Sequence, residues 1–171
     1  MTLLDVGTGA GDIPDAARQL SRRMGVPLTT IGLDWTVPIT RAATSRCGLG
    51  VAGDARRLPI ATRSVDIVTC SQVLHHFDDA DARLLLSELH RVARVAVIIG
   101  ELRRSRLAAA GVWLASWPLA FHFTSRHDGV VSVMRGFTAD ELSALVAEAT
   151  GVRPVVRRRP GFRVTATWIV A

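Results

Sequence analysis

The chain contains no lysine, no asparagine and no tyrosine, and only two cysteines among its 171 residues. Every basic side chain other than histidine is therefore an arginine. Cys47 and Cys70 stand far apart with no Cys-x-x-Cys pair, which argues against a disulfide framework and against a zinc site. No metal site is expected. No charged-then-apolar leader is visible ahead of Leu3, so a reducing cytoplasm is the expected compartment. One long uncharged run exists, Leu107 to Phe123, but Gly111, Ser116, Pro118 and His122 interrupt it, and it falls short of a membrane span. There is no Gly-Lys-Ser/Thr tripeptide, which excludes the common phosphate-cradling loop. Repeats, low-complexity segments and interdomain linkers are also absent.

What is present is a globular composition. Apolar residues make up 49% of the chain, and the length suits one domain with a full core. The net charge of +6 and pI near 11.2 raise nucleic acid or an anionic surface as partners. A blander cause competes, because a chain without lysine, asparagine and tyrosine but rich in Ala, Val, Leu and Arg is what GC-rich coding yields whatever the function. The arginines of 103–106 and Arg157 to Arg159 read as solvated faces. Basic patches that grip single strands interleave stacking aromatics, and these do not.

Residues 2–6 read as a strand, after which Ile13, Ala16, Ala17, Leu20 and Met24 recur at helical spacing on one face. Pro14 and Asp15 suit the first turn of that helix. Leu28 to Leu33 is a second strand ending in Asp34, and a helix follows from Trp35 towards Arg46. Leu49 to Ala52 and Val65 to Cys70 are further strands. Asp78 to Val92 opens with acids and sets Leu85, Leu89 and Val92 on one stripe, which predicts a helix. Val95 to Gly100 is nearly all apolar, as in a strand buried on both faces. Thr138-Ala-Asp-Glu141 forms a capping box, with Phe137 placed to staple onto Leu142. Leu142, Leu145, Val146 and Ala149 then face the core until Gly151 and Pro154 end the helix. The tail alternates across a Pro160-Gly161 turn as a hairpin. Strands alternating with helices and closing in a hairpin predict an α/β, doubly wound Rossmann-like sheet, mostly parallel with a C-terminal antiparallel hairpin.

The chemistry begins at Asp5-Val-Gly-Thr-Gly-Ala-Gly-Asp12, a strand running into a glycine-rich turn and a helix. Such a turn lets a ligand approach the main chain closely. A dinucleotide loop needs its third glycine at position 12, where Asp12 stands, and Gly11 comes one residue early. The pattern instead resembles the first motif of class I S-adenosylmethionine (SAM) methyltransferases. In a doubly wound sheet ligands lie beyond the carboxyl ends of the strands, so strand-end residues are candidate contacts. Asp5 borders the loop and either holds its shape or faces the methionine ammonium, while the start of the following helix offers N–H groups to the carboxylate. Asp34 is set to accept both ribose hydroxyls. Asp54, in Gly53-Asp-Ala55, can accept from the adenine amino group beside the Ala55 N–H.

With Ser71-Gln-Val-Leu-His-His-Phe77 added, the resemblance covers nearly the whole chain and points to the small-molecule branch of the family, near quinone and phenolic-lipid methyltransferases. It implies SAM as cofactor, with contacts from Asp5, Gly7, Thr8, Gly9, Gly11, Asp34, Trp35, Asp54, Ala55, Ser71 and Gln72. Base-modifying members carry Asn/Asp-Pro-Pro-Tyr/Phe after the fourth strand. Ser-Gln-Val-Leu in that position argues against methylation of a nucleobase amine. The expected reaction is methyl transfer to a small lipophilic or aromatic acceptor, at oxygen rather than carbon; the alternatives are an RNA methyltransferase, a non-catalytic SAM-binding partner subunit, or a pseudoenzyme.

In-line displacement from a sulfonium rests mainly on positioning, and a phenol benefits from a base. The histidines His75, His76, His122 and His127 are the candidates, His76 and His127 foremost. Residues 107–136 are expected to cover the acceptor site within a single domain, with Trp113, Trp117, Phe121 and Phe123 as a greasy lid or a peripheral membrane contact. No nucleic acid partner is expected, and self-association stays open. Members of the resembled family carry helices ahead of the first strand, so the chain is expected to lack that front segment and to bind SAM weakly, in a wetter site.

Overall fold

The computed structural model describes residues 1–117 and 123–170. The chain runs β1 (Thr2–Val6), α1 (Asp12–Met24), β2 (Thr29–Asp34), α2 (Val37–Cys47), β3 (Leu49–Ala52), β4 (Val65–Ser71), a 3₁₀ turn (Leu74–His76), α3 (Asp79–Val92), β5 (Ala93–Leu102), α4 (Arg106–Ala115), α5 (Phe123–Arg135), α6 (Ala139–Thr150), β6 (Val155–Arg159) and β7 (Arg163–Ile169). These strands form one sheet in the order β3-β2-β1-β4-β5-β7-β6. β1 to β5 are mutually parallel, and β7 pairs antiparallel with both β5 and β6. The predicted doubly wound sheet and closing hairpin are both present. Strand order reverses between β2-β1 and β4-β5, which opens a crevice at the carboxyl ends of β1 and β4.

Period-two alternation divides the sheet into two unlike faces. On one, Leu4 pairs with Val68, Val68 with Val97 and Val97 with Trp168, and all four are buried. α3 and α6 cover this face with Leu85, Leu89, Val92, Leu142, Leu145 and Val146, which join the strands in one core. Both helices start as predicted, α3 from Asp78, which accepts from the Asp81 N–H, and α6 from the reciprocal Thr138–Glu141 box.

The other face is covered by α1 and α2 over β1, β2 and β3. Over β5 and β7, Ile98 is 38% exposed and Ile169 65%. Two expectations are corrected here. Val95 to Gly100 is not buried throughout: Ile98 is exposed on the face turned away from α3 and α6, and Val95 is exposed at a register shift near the start of the strand. The Ile13–Leu20–Met24 stripe of α1 also faces outward, and Pro14 is the buried residue of that helix. Helical period identified residues that share a face but carried no information about what that face meets.

α4 and α5 pack on each other and form a small separate cluster of Ala108, Ala109 and Val133, with Val112, Val130 and Phe162 against it. Phe121 and His122 lie outside the described residues. Among the described residues no helix is long and apolar enough to cross a membrane.

Candidate active site

The turn after β1 is folded by its own backbone. Gly7 and Thr8 both donate to the Leu33 carbonyl, at 2.8 and 2.9 Å, which ties the turn to the end of β2. Gly7 has φ +72°, and a Cβ there would strike the Val73 side chain, so only glycine lets the β1 and β4 loops meet. The Asp34 carboxylate accepts from the Gly9 N–H at 3.1 Å and from the Thr36 N–H at 3.3 Å. Asp34 therefore braces the glycine turn while remaining partly exposed.

A cavity of about 600 Å³ opens at this switch point. Gly7 comes from the β1 loop, Leu33, Asp34 and Trp35 from the end of β2, Asp54, Ala55 and Arg56 from the loop after β3, and Gln72, Val73, His76 and Phe77 from the loop after β4. Six of the eleven expected cofactor residues thus line one space: Gly7, Asp34, Trp35, Asp54, Ala55 and Gln72. Asp5, Thr8, Gly9, Gly11 and Ser71 are not in its wall. Asp5 and Thr8 are buried beneath the turn.

Asp5 accepts from the Thr69 hydroxyl at 2.7 Å. Burial pushes its pKa up to about 6 from the ordinary 3.8, and the hydrogen bonds from Thr69 and Thr8 offset part of that rise. Asp54 has the opposite surroundings. Its carboxylate is held by the Arg56 side chain, Nη2 at 2.9 Å and Nε at 3.1 Å, and by the Arg56 N–H at 2.9 Å, and these bonds keep its pKa below the usual carboxylate value. Arg56 reaches on to Asp81 of α3 at 2.8 Å, so an Asp–Arg–Asp bridge forms one wall of the cavity.

Of the histidines, His76 lines the cavity. Desolvation, then the neighbouring His75, lowers its pKa below the ordinary 6.5. His127 is exposed on α5 and is not in the cavity wall, and His75 is buried with its ring centroid 4.2 Å from that of His76. His75 Nδ1 meets Glu101 Oε2 at 2.9 Å. Glu101, fully buried at the end of β5, also accepts from the Val73 and Leu74 N–H groups at 2.7 Å each.

Sequence reasoning missed Arg56, Asp81 and Glu101. For Glu101 a signal existed, since the strand-end rule that singled out Asp5, Asp34 and Asp54 applies equally to an acid closing the apolar Val95–Gly100 run. Among the described residues no cluster of histidine, cysteine and acids suits a metal ion.

A family described as "Methyltransferase domain" matches residues 4–98. The demethylmenaquinone methyltransferase of Roseiflexus sp. (strain RS-1) is 38% identical over 118 residues, which span 64% of this chain and 47% of that protein. Its counterpart in Roseiflexus castenholzii is 35% identical over 107 residues, 60% of this chain and 42% of that protein. The chain thus spans less than half the length of these curated relatives. Among solved structures, a SAM-dependent methyltransferase from Aquifex aeolicus superposes with a TM-score of 0.70 at 18% identity, covering 100% of this chain and 82% of that one. LepI in complex with SAM gives 0.71 at 16% identity, over 99% of this chain and 43% of that one. At such identities the likeness is one of fold.

Proposed function

The chain belongs to the methyltransferase-domain family, and from its cavity we propose that it is a SAM-dependent methyltransferase acting on a small lipophilic ring acceptor of the quinol or phenol class. The observation that carries this reading is the convergence of Gly7, Asp34, Asp54 and Gln72 from four strand ends on one cavity.

The residues present fit SAM. The cavity has a partly exposed carboxylate at the end of β2, where a ribose diol can donate, and apolar walls from Leu33, Val73 and Phe77 for a flat base. Trp35 and Ala55 extend those walls, and the missing Cβ of Gly7 keeps the turn open to close approach. Bound SAM supplies an electrophilic methyl group on a sulfonium. The protein's part is to hold the acceptor in line and to keep water out. Asp5, Thr8, Gly9, Gly11 and Ser71 act from below or beside the wall, fixing the turn and the strand ends.

His76 is the histidine suited to take a proton from an acceptor hydroxyl, because it is already at the cavity and its lowered pKa leaves it neutral at physiological pH. Transfer is read as going to oxygen on this ground. His127 is the alternative base. The curated relatives, named demethylmenaquinone methyltransferases, support a quinone-type ring as acceptor.

Residues 107–136 are read as the acceptor-site cover of a single domain. α5 packs against the 3₁₀ turn that carries His76, and α4 turns Leu107, Trp113 and Leu114 outward with no acidic side chain on it. Such a surface suits a lipophilic acceptor, or the bilayer that holds one.

Asp34→Ala is expected to weaken SAM binding at least about tenfold in calorimetric titration, since charge-assisted bonds contribute about 1.5–3 kcal/mol each. Unchanged affinity would remove Asp34 from the site. Transfer of a ¹³C-methyl group to a demethylated quinol should give a methyl ether by NMR; a ring-methyl signal would move the reaction to carbon, and labelling of RNA alone would overturn the acceptor class. The kcat/KM profile should fall on the acid side, below the ordinary imidazole value of 6.5, as His76 takes up a proton, and His76→Ala should abolish that limb. A limb lost only in His127→Ala would transfer the role to α5.

A further inference from the structure

On the face of β5 under α3 and α6 the side chains are apolar until Glu101. A buried carboxylate is tolerated only when its lone pairs are filled. This one accepts from Val73 N–H and Leu74 N–H through Oε1, and meets His75 Nδ1 and Leu102 N–H, the latter at 3.2 Å, through Oε2. Three of the four partners belong to the loop that leaves β4.

That loop is not at rest in its own sequence. Gln72 sits at φ +58°, a left-handed conformation that costs a residue with a Cβ and persists where its surroundings enforce it. The surroundings here are β5, through the Gly100 carbonyl, which accepts from Gln72 N–H at 2.7 Å, and through Glu101 one residue on. Val73 then fills the space beside Gly7, and Gln72, Val73, His76 and Phe77 form a wall of the cavity. Both oxygens of Glu101 already accept from backbone N–H groups, and in that accepting geometry it is His75 that donates, from Nδ1.

We propose that Glu101 is a positioning residue for methyl transfer, its four-point clamp setting the 72–77 loop as a wall of the SAM cavity and fixing the tautomer of His75. The proposal rests on the reading of that cavity as the SAM site. Glu101 is not in the cavity wall. It acts through Gln72, Val73 and His76.

The test is calorimetric titration of the full chain with S-adenosylhomocysteine for the wild type, Asp34→Ala, Glu101→Gln and Glu101→Leu, with circular dichroism to verify folding and ¹⁵N spectra of labelled histidine. Glu101→Leu should lose at least about tenfold in affinity. Glu101→Gln should stay within about threefold, because its amide oxygen still accepts from Val73 and Leu74; its NH₂ gives up only the longer bond from the Leu102 N–H and faces His75, which moves the His75 proton from Nδ1 to Nε2. A folded Glu101→Leu that binds as the wild type does overturns the proposal and leaves the cofactor reading standing. If that variant does not fold, Glu101→Gln decides: a tenfold loss of affinity, or a His75 proton still on Nδ1, overturns it. A wild type that does not bind at all removes the cofactor reading and the proposal with it.

Discussion

The two faces of this sheet are built from the same strands and meet different fates. Under α3 and α6, Leu4, Val68, Val97, Ile99 and Ala166 are fully or nearly fully buried in one continuous core. One residue away along each strand, the opposite face carries Asp5, Thr69, Ile98 and Thr167 in register, and among the described residues α1 and α2 cover its β1–β3 half. Among the acids that the sheet buries, Glu101 and Asp5 lie on opposite faces. Glu101 on the closed face has four donors, whereas Asp5 on the other has hydroxyl partners and, among the described residues, no cation. Stability is therefore concentrated on one side of the sheet, and the cavity is assembled at its rim from loops that both sides hold.

The largest effect should come from the closed face. Leu89→Ala removes a fully buried side chain between α3 and the sheet, and such truncations cost about 2–5 kcal/mol. Urea unfolding measures it. A loss below about 1 kcal/mol would mean that the core closes around the gap and that the two faces are less unlike than they look.

Next comes the buried acid of the other face. Because the folded pKa of Asp5 is raised from 3.8 to about 6, the folded state binds this proton more tightly than the unfolded chain does. Its contribution is most favourable below about pH 4 and is lost as pH rises through about 6, a change on the order of 3 kcal/mol. Asp5→Asn still accepts from Thr69 and does not titrate. The stability difference between variant and wild type, from urea unfolding at several pH values, should therefore shift in the variant's favour by that order between about pH 4 and pH 7. A flat difference would show that Asp5 carries its charge without cost.

What could be read from the sequence follows the same division. Patterns internal to one segment were legible: the Leu85–Leu89–Val92 stripe, the Thr138–Glu141 box, Gly151 as a left-handed cap, and the hairpin alternation that buries Val164, Ala166 and Trp168. Strand-end chemistry was legible too, since topology alone brings Asp34 and Asp54 to one crevice. Relations between segments were not. Nothing local to Arg56 announces Asp81 of α3, and nothing local to Ile13, Leu20 and Met24 says whether their face has a partner. Both depend on which elements end up side by side, a property of the whole fold. The two candidate bases show the same dependence: only the fold says that His76 lines the cavity while His127 is exposed on α5.

The smallest effect should come from Ile98→Thr. The side chain is already 38% exposed, threonine keeps the β-branch that suits a strand, and surface exchanges of this kind stay within about 0.5 kcal/mol. Ile99→Thr is its control. It lies one residue further along β5 but points into the closed core, where a hydroxyl without a partner costs about 1–3 kcal/mol in addition to the lost packing. The ratio of the two losses measures how open the second face is in solution. Should Ile98→Thr cost as much as Ile99→Thr, the face is covered there by another surface, and sedimentation of the wild type against the variant would then show whether that surface is a second copy of the chain.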